Sequence, residues 1–297
     1  MSNAADSETT MSSFRFGEYF GIELRLHWTF LALGAWIGLS ILSETGSLLL
    51  TTHSLVTLAS IFGCVALHEY GHALAARHYG IGTLEITLLP IGGVARLERM
   101  PEDPKQELWI ALAGPATNFV LAAGLGVLYL LTGGSISNLI QLSIFDGSLL
   151  SVLLQVNIVM GLFNLLPALP MDGGRVLRAG LSLRMPALKA TGIASTLARM
   201  IATGMMVYGL VRGGLMLTII GGFVWVTARN EYKNAILIEK MKMSHRRQGT
   251  DFSPGKNGQA PSNQASPAGE WVQPEVVSPE RKKFTLDGKT KPARSRP

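Results

Sequence analysis

Six long apolar segments constrain this chain more than any other feature of its sequence. A helix that crosses a lipid bilayer needs about 20 mostly apolar residues. Segments near that length lie at about 27–43, 54–76, 107–132, 149–168, 190–211 and 214–228. Charged residues make up only 15% of the chain, against roughly 25% in soluble domains. The expected fold class is therefore an all-α polytopic membrane protein with about six transmembrane helices.

The positions of the basic residues set the expected orientation of these helices. The connections after the second and fourth segments carry several Lys and Arg, whereas residues 44–53 and 133–148 carry none. Cytoplasmic loops of membrane proteins are enriched in Lys and Arg. Both termini of this multi-pass chain are thus expected in the cytoplasm. No eukaryotic targeting signal is visible, so a bacterial plasma membrane is the expected location.

The two ends of the chain differ from its middle. Residues 1–22 form a polar N-terminal segment, and residues 23–242 form the expected six-span core. Residues 243–297 have too few apolar side chains to bury a core, so a disordered basic C-terminal tail is expected. More than half of the 26 Lys and Arg lie beyond residue 228, and basic tails of membrane proteins commonly face anionic lipid. The expected partner of these charges is the lipid bilayer and not a nucleic acid.

The segment 83–97 breaks the helical pattern directly after the second span. Residues 84–88 alternate apolar and polar side chains, which is typical of a strand. Pro90-Ile91-Gly92-Gly93 is typical of a turn. The pattern therefore predicts a short β-hairpin. A hairpin can enter the bilayer where protein covers its backbone or where it lines a cavity, so a re-entrant hairpin is expected.

The second span contains the motif His68-Glu69-Tyr70-Gly71-His72. Residues four apart share one face of a helix, so both imidazoles can reach one metal ion. In soluble zinc proteases the glutamate of this motif acts as the general base. Ionisable residues inside an apolar span are costly and therefore indicate function. A proton or ion relay, in a transporter or a channel, is the alternative function for the same residues.

Asp172 is a candidate for the third ligand, since a catalytic zinc ion has three protein ligands and one open position. It follows the fourth span, which is expected to end on the same side of the membrane as the second. Pro167 and Pro170 break the helix, and Gly173-Gly174 are expected to continue an irregular path that aims the carboxylate into a cavity. An aspartate at a helix end in the water interface is the alternative interpretation.

These motifs resemble those of the site-2 protease family of intramembrane zinc metalloproteases. The resemblance is carried by the H-E-x-x-H motif and by an N-x-x-P-x-x-P-x-D-G segment that begins at Asn164. It implies one Zn²⁺ per chain, bound by His68, His72 and Asp172. It also implies that Glu69 is the catalytic acid/base, and that Asn164 lies by the active site and helps to hold the substrate or the oxyanion.

The resemblance covers roughly residues 20–230. It implies a single-span membrane protein as substrate, cut in regulated intramembrane proteolysis or in the clearance of signal-peptide remnants. It further implies that the hairpin pairs with the extended substrate. Gly114-Pro115-x-x-Asn118 in the third span resembles another family motif, and a helix-packing amide is the alternative role for Asn118. Cys64, one turn before His68, is expected to be a small buried apolar residue and not a ligand.

Overall fold

The structure is a computed structural model and describes residues 13–135 and 148–250, apart from Ile91 and Glu102. These residues form seven helices and one four-stranded sheet. The helices are α1 Trp28–Thr45, α2 Leu48–His78, α3 Pro104–Leu131, α4 Leu149–Asn164, α5 Asp172–Ser182, α6 Ala187–Arg212 and α7 Leu215–Thr250. The strands are β1 Ser13–Tyr19, β2 Ile22–His27, β3 Thr83–Leu89 and β4 Gly92–Leu97.

The chain divides into two units, residues 1–249 and residues 250–297, and the features described below belong to the first. Most of the expected C-terminal tail lies outside the described residues. Helix α7 continues to Thr250 and so extends past residue 243, where that tail was expected to begin.

Each of the six predicted apolar segments falls largely in a helix, but only three of the described helices are long and apolar enough to cross a membrane. These three are α2, α3 and α6. Helix α4 is apolar but has only 16 residues, because the chain leaves the helix after Asn164 and reaches Pro167. The sixth predicted segment is the first part of α7, a helix of 36 residues. A total of six spans therefore stays a prediction.

Local signals in the sequence set the ends of the helices that carry the site. Helix α1 ends at Gly46, which adopts the left-handed conformation with φ 66°. Ser47 Oγ then accepts a hydrogen bond from the Leu50 N–H at 3.3 Å at the start of α2. Asp103 Oδ1 accepts from the Lys105 N–H at 2.9 Å at the start of α3. These caps satisfy backbone donors that have no partner inside the helix.

The sheet has the strand order β1-β2-β3-β4, with a parallel pair in its centre. Strands β3 and β4 pair antiparallel and form the predicted hairpin. Strands β1 and β2 also pair antiparallel, and sequence analysis did not find them. The alternation of Phe14, Arg15 and Phe16 is a strand signal, but it stops at Gly17, where the register shifts. A bulge of this kind interrupts the two-residue period on which strand prediction depends.

One face of the sheet is apolar and packs on helix α2. The buried residues of this contact are Ile22, Leu24, Ala66, Tyr70, Ala73, Ile86 and Leu88. The other face carries charges that pair across the strands: Glu85 lies 2.9 Å from Arg25 and 3.7 Å from Arg96. Because side chains alternate between the two faces of a strand, this pattern directs the apolar face onto the helix that carries both histidines.

An ion pair joins α5 to α3. Arg178 donates to Glu107 Oε1 from Nε at 2.9 Å and also from Nη2, and each side chain is 19% exposed. Replacing Arg178 with Met keeps most of the side-chain length but leaves a half-buried carboxylate unpaired. We expect this change to lower the free energy of unfolding by roughly 1–3 kcal/mol.

The exposed pair of Arg15 and Glu18 provides the control for this prediction. Its side chains are 56% and 52% exposed, so Arg15→Met should cost less than about 1 kcal/mol. Thermal unfolding of the two purified variants in detergent measures the difference. Equal losses in Arg178→Met and Arg15→Met would contradict the prediction.

Candidate metal centre

Helix α2 places the two histidines of the H-E-x-x-H motif on one buried face. His68 is 5% and His72 is 7% exposed, and their Nε2 atoms are 3.1 Å apart. Asp172, the first residue of α5, lies against both rings. Its Oδ2 atom is 3.2 Å from His68 Nε2 and 3.1 Å from His72 Nε2. The structure thus brings together three ligand atoms from two distant parts of the sequence.

The spacing of these atoms fits a tetrahedral zinc site. Oxygen and nitrogen ligands about 2.0–2.1 Å from a tetrahedral zinc ion lie about 3.3 Å from one another. The three separations here are 3.1, 3.2 and 3.1 Å. Among the described residues, His68, His72 and Asp172 form the group of side chains that could hold one metal ion. Two imidazoles and a carboxylate are also a ligand set that catalytic zinc ions use.

Close backbone packing at the start of α5 holds Asp172 in place. A Cβ atom on Gly173 would lie 2.3 Å from the carbonyl oxygens of Leu165 and Leu166, and one on Gly174 would lie 2.4 Å from a backbone nitrogen of the same segment. The prediction that the two glycines continue an irregular path is wrong, because they belong to the first turn of a helix. Only glycine lets α5 begin so close to the preceding segment, and this contact sets the position of the carboxylate.

The electrostatic surroundings of Asp172, which lies outside the three membrane-length helices, favour its charged form. Burial alone would raise the pKa of the Asp172 carboxyl, but the adjoining His68 and His72 rings outweigh burial and hold this pKa well below its usual range. The carboxyl group is therefore ionised at neutral pH, which is the form that binds a metal ion.

Helices α2 and α3 cross at a point where both have small residues. A Cβ atom on Gly71 would lie 2.3 Å from Thr117 Oγ1 and 2.8 Å from the Ala113 carbonyl oxygen. A Cβ atom on Gly114 would lie only 2.2 Å from His72 Nε2. Small residues let the backbones of membrane helices approach closely. Helix α3 therefore forms one wall of the metal centre, and Gly114 borders the ligand atoms directly.

Helix α3 also contacts the second ring nitrogen of each histidine. His72 Nδ1 lies 2.7 Å from the Ile110 carbonyl oxygen and donates to it, which leaves Nε2 of the neutral ring free to bind a metal. His68 Nδ1 lies 3.0 Å from the side-chain amide of Asn118. The G-P-x-x-N motif marks Gly114 and Asn118 in the sequence. Ile110 carries no such signal, because its contribution is a backbone atom.

Glu69 lies next to strand β4 at the edge of the metal centre. Its side chain is half-buried, and a Cβ atom on Gly93 would lie 2.5 Å from Glu69 Cγ and 3.0 Å from Oε1. Glycine at this position lets the strand pass directly against the carboxylate. Glu69 is therefore close both to the ligands that flank it on α2 and to the edge strand of the sheet.

Two other candidate residues supply none of the three converging ligand atoms. Asn164 is the last residue of α4, where it is half-buried at the start of the segment that leads to Asp172. Cys64 is buried on α2 and forms no disulfide. It does not belong to the group of ligand atoms found among the described residues.

Comparisons with known proteins place the chain in a family. The model of peptidase family M50 matches residues 56–145 and 146–207. A zinc metalloprotease of Methanocaldococcus jannaschii is 37% identical over 220 residues, which cover 74% of this chain and 60% of that protein. The Mycobacterium tuberculosis protein Rip3 is 37% identical over 172 residues, which cover 55% of this chain and 42% of Rip3. The chain thus spans less than two thirds of the length of these curated relatives.

A solved structure shares the fold. The site-2 protease from Methanocaldococcus jannaschii superposes with a TM-score of 0.53 at 33% sequence identity, and the match covers 74% of this chain and 95% of that chain. The residues matched by the family model include both histidines, Glu69 and Asp172. The resemblance found in the sequence is confirmed: the chain belongs to peptidase family M50, the site-2 protease family.

Proposed function

We propose that this protein is an intramembrane zinc metalloendopeptidase that hydrolyses peptide bonds in or near transmembrane segments of single-span membrane proteins. The observation that carries the proposal is the convergence of His68, His72 and Asp172 within 3.2 Å of one another. These three residues would hold the zinc ion. When bound, zinc would supply a Lewis acid that activates water at neutral pH and polarises the scissile carbonyl group.

Glu69 is the proposed acid and base of the reaction. It follows His68 directly on α2, so its carboxylate is carried by the same helical turn as the two imidazoles. In this role it takes a proton from the attacking water and then gives a proton to the leaving amine. A positioned general acid–base group typically contributes about 10²–10⁴-fold to a rate.

The substrate is proposed to bind as an added strand at the edge of the sheet. A helical substrate hides its peptide bonds in its own hydrogen bonds, so cleavage requires an extended segment. In the described sheet β4 pairs with β3 alone, and strand addition to such an edge supplies backbone hydrogen bonds. Because Gly93 of β4 lies against Glu69, a strand added there would run beside the proposed base. This placement supports the expectation that the hairpin pairs with the extended substrate.

Asn164 is proposed to help hold the substrate or the developing oxyanion. A side-chain amide can donate a hydrogen bond to the negative oxygen that forms during acyl transfer. Asn164 ends α4, and the short segment that follows leads straight to Asp172. This connection to a proposed zinc ligand supports the proposal that the Asn164 side chain lies near the scissile bond.

The proposed topology has six spans, with both termini in the cytoplasm of a bacterial cell. Its support is the clustering of Lys and Arg in the connections after the second and fourth apolar segments. The metal centre then lies near the cytoplasmic face of the plasma membrane. Regulated intramembrane proteolysis and the clearance of signal-peptide remnants are the two processes that this location suits.

Removal of zinc tests the proposed function. In liposomes that contain the full chain and a single-span substrate, 1,10-phenanthroline should stop cleavage, and added Zn²⁺ should restore it. Product is measured by gel electrophoresis and mass spectrometry. Cleavage that continues in zinc-free protein would contradict the proposal. Ion flux across the vesicles without any cleaved product would support a transporter instead.

A further inference from the structure

Asn118 contacts a proposed zinc ligand, yet it has no part in the proposed reaction. It is fully buried in α3, and its Nδ2 atom lies 3.0 Å from His68 Nδ1. Its Oδ1 atom has no hydrogen-bond partner among the described residues. Buried polar groups in folded proteins are nearly always hydrogen-bonded, so this amide oxygen requires an explanation.

The protonation of His68 decides which atom of Asn118 must face it. His68 Nε2 is directed at Asp172 Oδ2, 3.2 Å away. In the form that binds a metal, this nitrogen carries the lone pair and Nδ1 carries the hydrogen. A ring N–H cannot donate to an amide NH₂ group. The two ends of an Asn amide have nearly the same shape, so a rotation of 180° places Oδ1 at Nδ1 and gives this buried oxygen a donor.

We propose that Asn118 is a positioning residue whose side-chain oxygen accepts a hydrogen bond from Nδ1–H of His68 and keeps that ring in the tautomer and orientation that bind the metal. This inference rests on the zinc site of the proposed function. In metalloproteins the partner of the second ring nitrogen orients the histidine and raises its basicity. Loss of such a partner typically weakens metal binding by about 10–100-fold.

Helix α3 then supports both histidines in the same manner. The Ile110 carbonyl oxygen accepts from His72 Nδ1 at 2.7 Å, and the Asn118 side chain accepts from His68 Nδ1. Residues 110, 114 and 118 are spaced four apart and share one face of the helix. Gly114, between the other two, leaves room for both imidazole rings. The G-P-x-x-N motif therefore combines a close helix approach with a hydrogen-bond acceptor one turn later.

A packing role is the competing explanation for Asn118. Buried amides also join neighbouring membrane helices, and Asn157 on α4 is another fully buried amide. Its Nδ2 atom donates to the Leu153 carbonyl oxygen at 2.8 Å, within its own helix. Its Oδ1 atom also has no partner among the described residues. Asn157 is therefore a matched control, because its described hydrogen bond does not involve a histidine.

The zinc affinity of the purified full chain in detergent tests the inference. Asn118→Leu keeps a similar size but removes the acceptor, and we expect zinc binding to weaken by about 10–100-fold. Asn118→Asp retains an acceptor oxygen and should stay within about threefold of wild type, since carboxylates are common partners of metal-binding histidines. Asn157→Leu should leave the affinity unchanged. Competition against a chelating indicator measures the affinity, and the visible spectrum of the Co²⁺ form reports the ligand geometry.

Wild-type affinity and an unchanged Co²⁺ spectrum in Asn118→Leu would overturn the inference. Equal losses in Asn118→Leu and Asn157→Leu would also overturn it, because they would indicate a general packing effect. If Asn118→Leu does not fold, Asn118→Ala is compared with Asn118→Asp, and the inference requires tight binding in the Asp variant alone. A wild-type chain that binds no zinc would instead overturn the proposed function itself.

Discussion

Replacing Glu69 with Gln is expected to stop peptide cleavage while zinc stays bound. The amide has nearly the size and shape of the carboxylate, so the backbone of β4, which passes against this side chain at Gly93, can keep its position. An amide cannot accept and pass on a proton, so the rate should fall by about 10²–10⁴-fold. None of the three proposed ligand atoms belongs to Glu69, so zinc affinity should stay close to that of the wild type.

Two measurements separate this role of Glu69 from the alternatives. Cleavage of a single-span substrate in liposomes gives the rate, and metal analysis of the same preparation gives the zinc content. Glu98→Gln is the control, because Glu98 is an exposed carboxylate that follows β4, and it should cleave at the wild-type rate. Full activity in Glu69→Gln would refute the proposed base. Loss of zinc from this variant would show that Glu69 supports the metal and not the proton transfer.

The most local features of the site were the most predictable from the sequence. The spacing of His68 and His72 is a property of a single helical turn, and it holds whatever surrounds the helix. The joining of Asp172 to these residues is a long-range contact. Its prediction depended on the order of the apolar segments and on a family motif. The physical basis of that contact is the glycine pair in the first turn of α5, and two glycines in sequence indicate irregular chain more readily than a helix.

The features that were missed depend on contacts between elements. Strand β1 has only a short alternation of side chains before its bulge. Helix α5 has two glycines directly after its first residue, and glycine is a poor helix former. Strand β1 forms because it pairs with β2, and α5 forms because it packs between α3 and α6. The role of the Ile110 carbonyl oxygen could not be found at all, since every residue has one. The motif marks Gly114 in the sequence, but only the structure shows why a glycine is needed there: α3 passes directly against the two histidine rings.

Replacing Gly114 with Ala is expected to abolish zinc binding. The added Cβ atom would lie 2.2 Å from His72 Nε2 and 2.8 Å from His68 Cε1, so it would occupy space that the rings need. The two helices cannot easily separate, because α2 also meets the backbone of α3 at Gly71, where a Cβ atom would lie 2.8 Å from the Ala113 carbonyl oxygen. Metal–ligand distances tolerate only about 0.2 Å of error. A displaced imidazole ring therefore lowers the affinity for zinc, and a chain without zinc should not cleave its substrate.

Gly124→Ala is the matched control, since it makes the same change three turns later in the same helix. A Cβ atom on Gly124 meets nothing within 4 Å, and alanine favours a helix over glycine by about 1 kcal/mol. This variant should therefore bind zinc as the wild type does and unfold at the same or a slightly higher temperature. Zinc titration of both variants decides the outcome. A Gly114→Ala protein with wild-type zinc affinity would mean that α3 does not constrain the ligands, and the proposed wall of the metal centre would have to be abandoned.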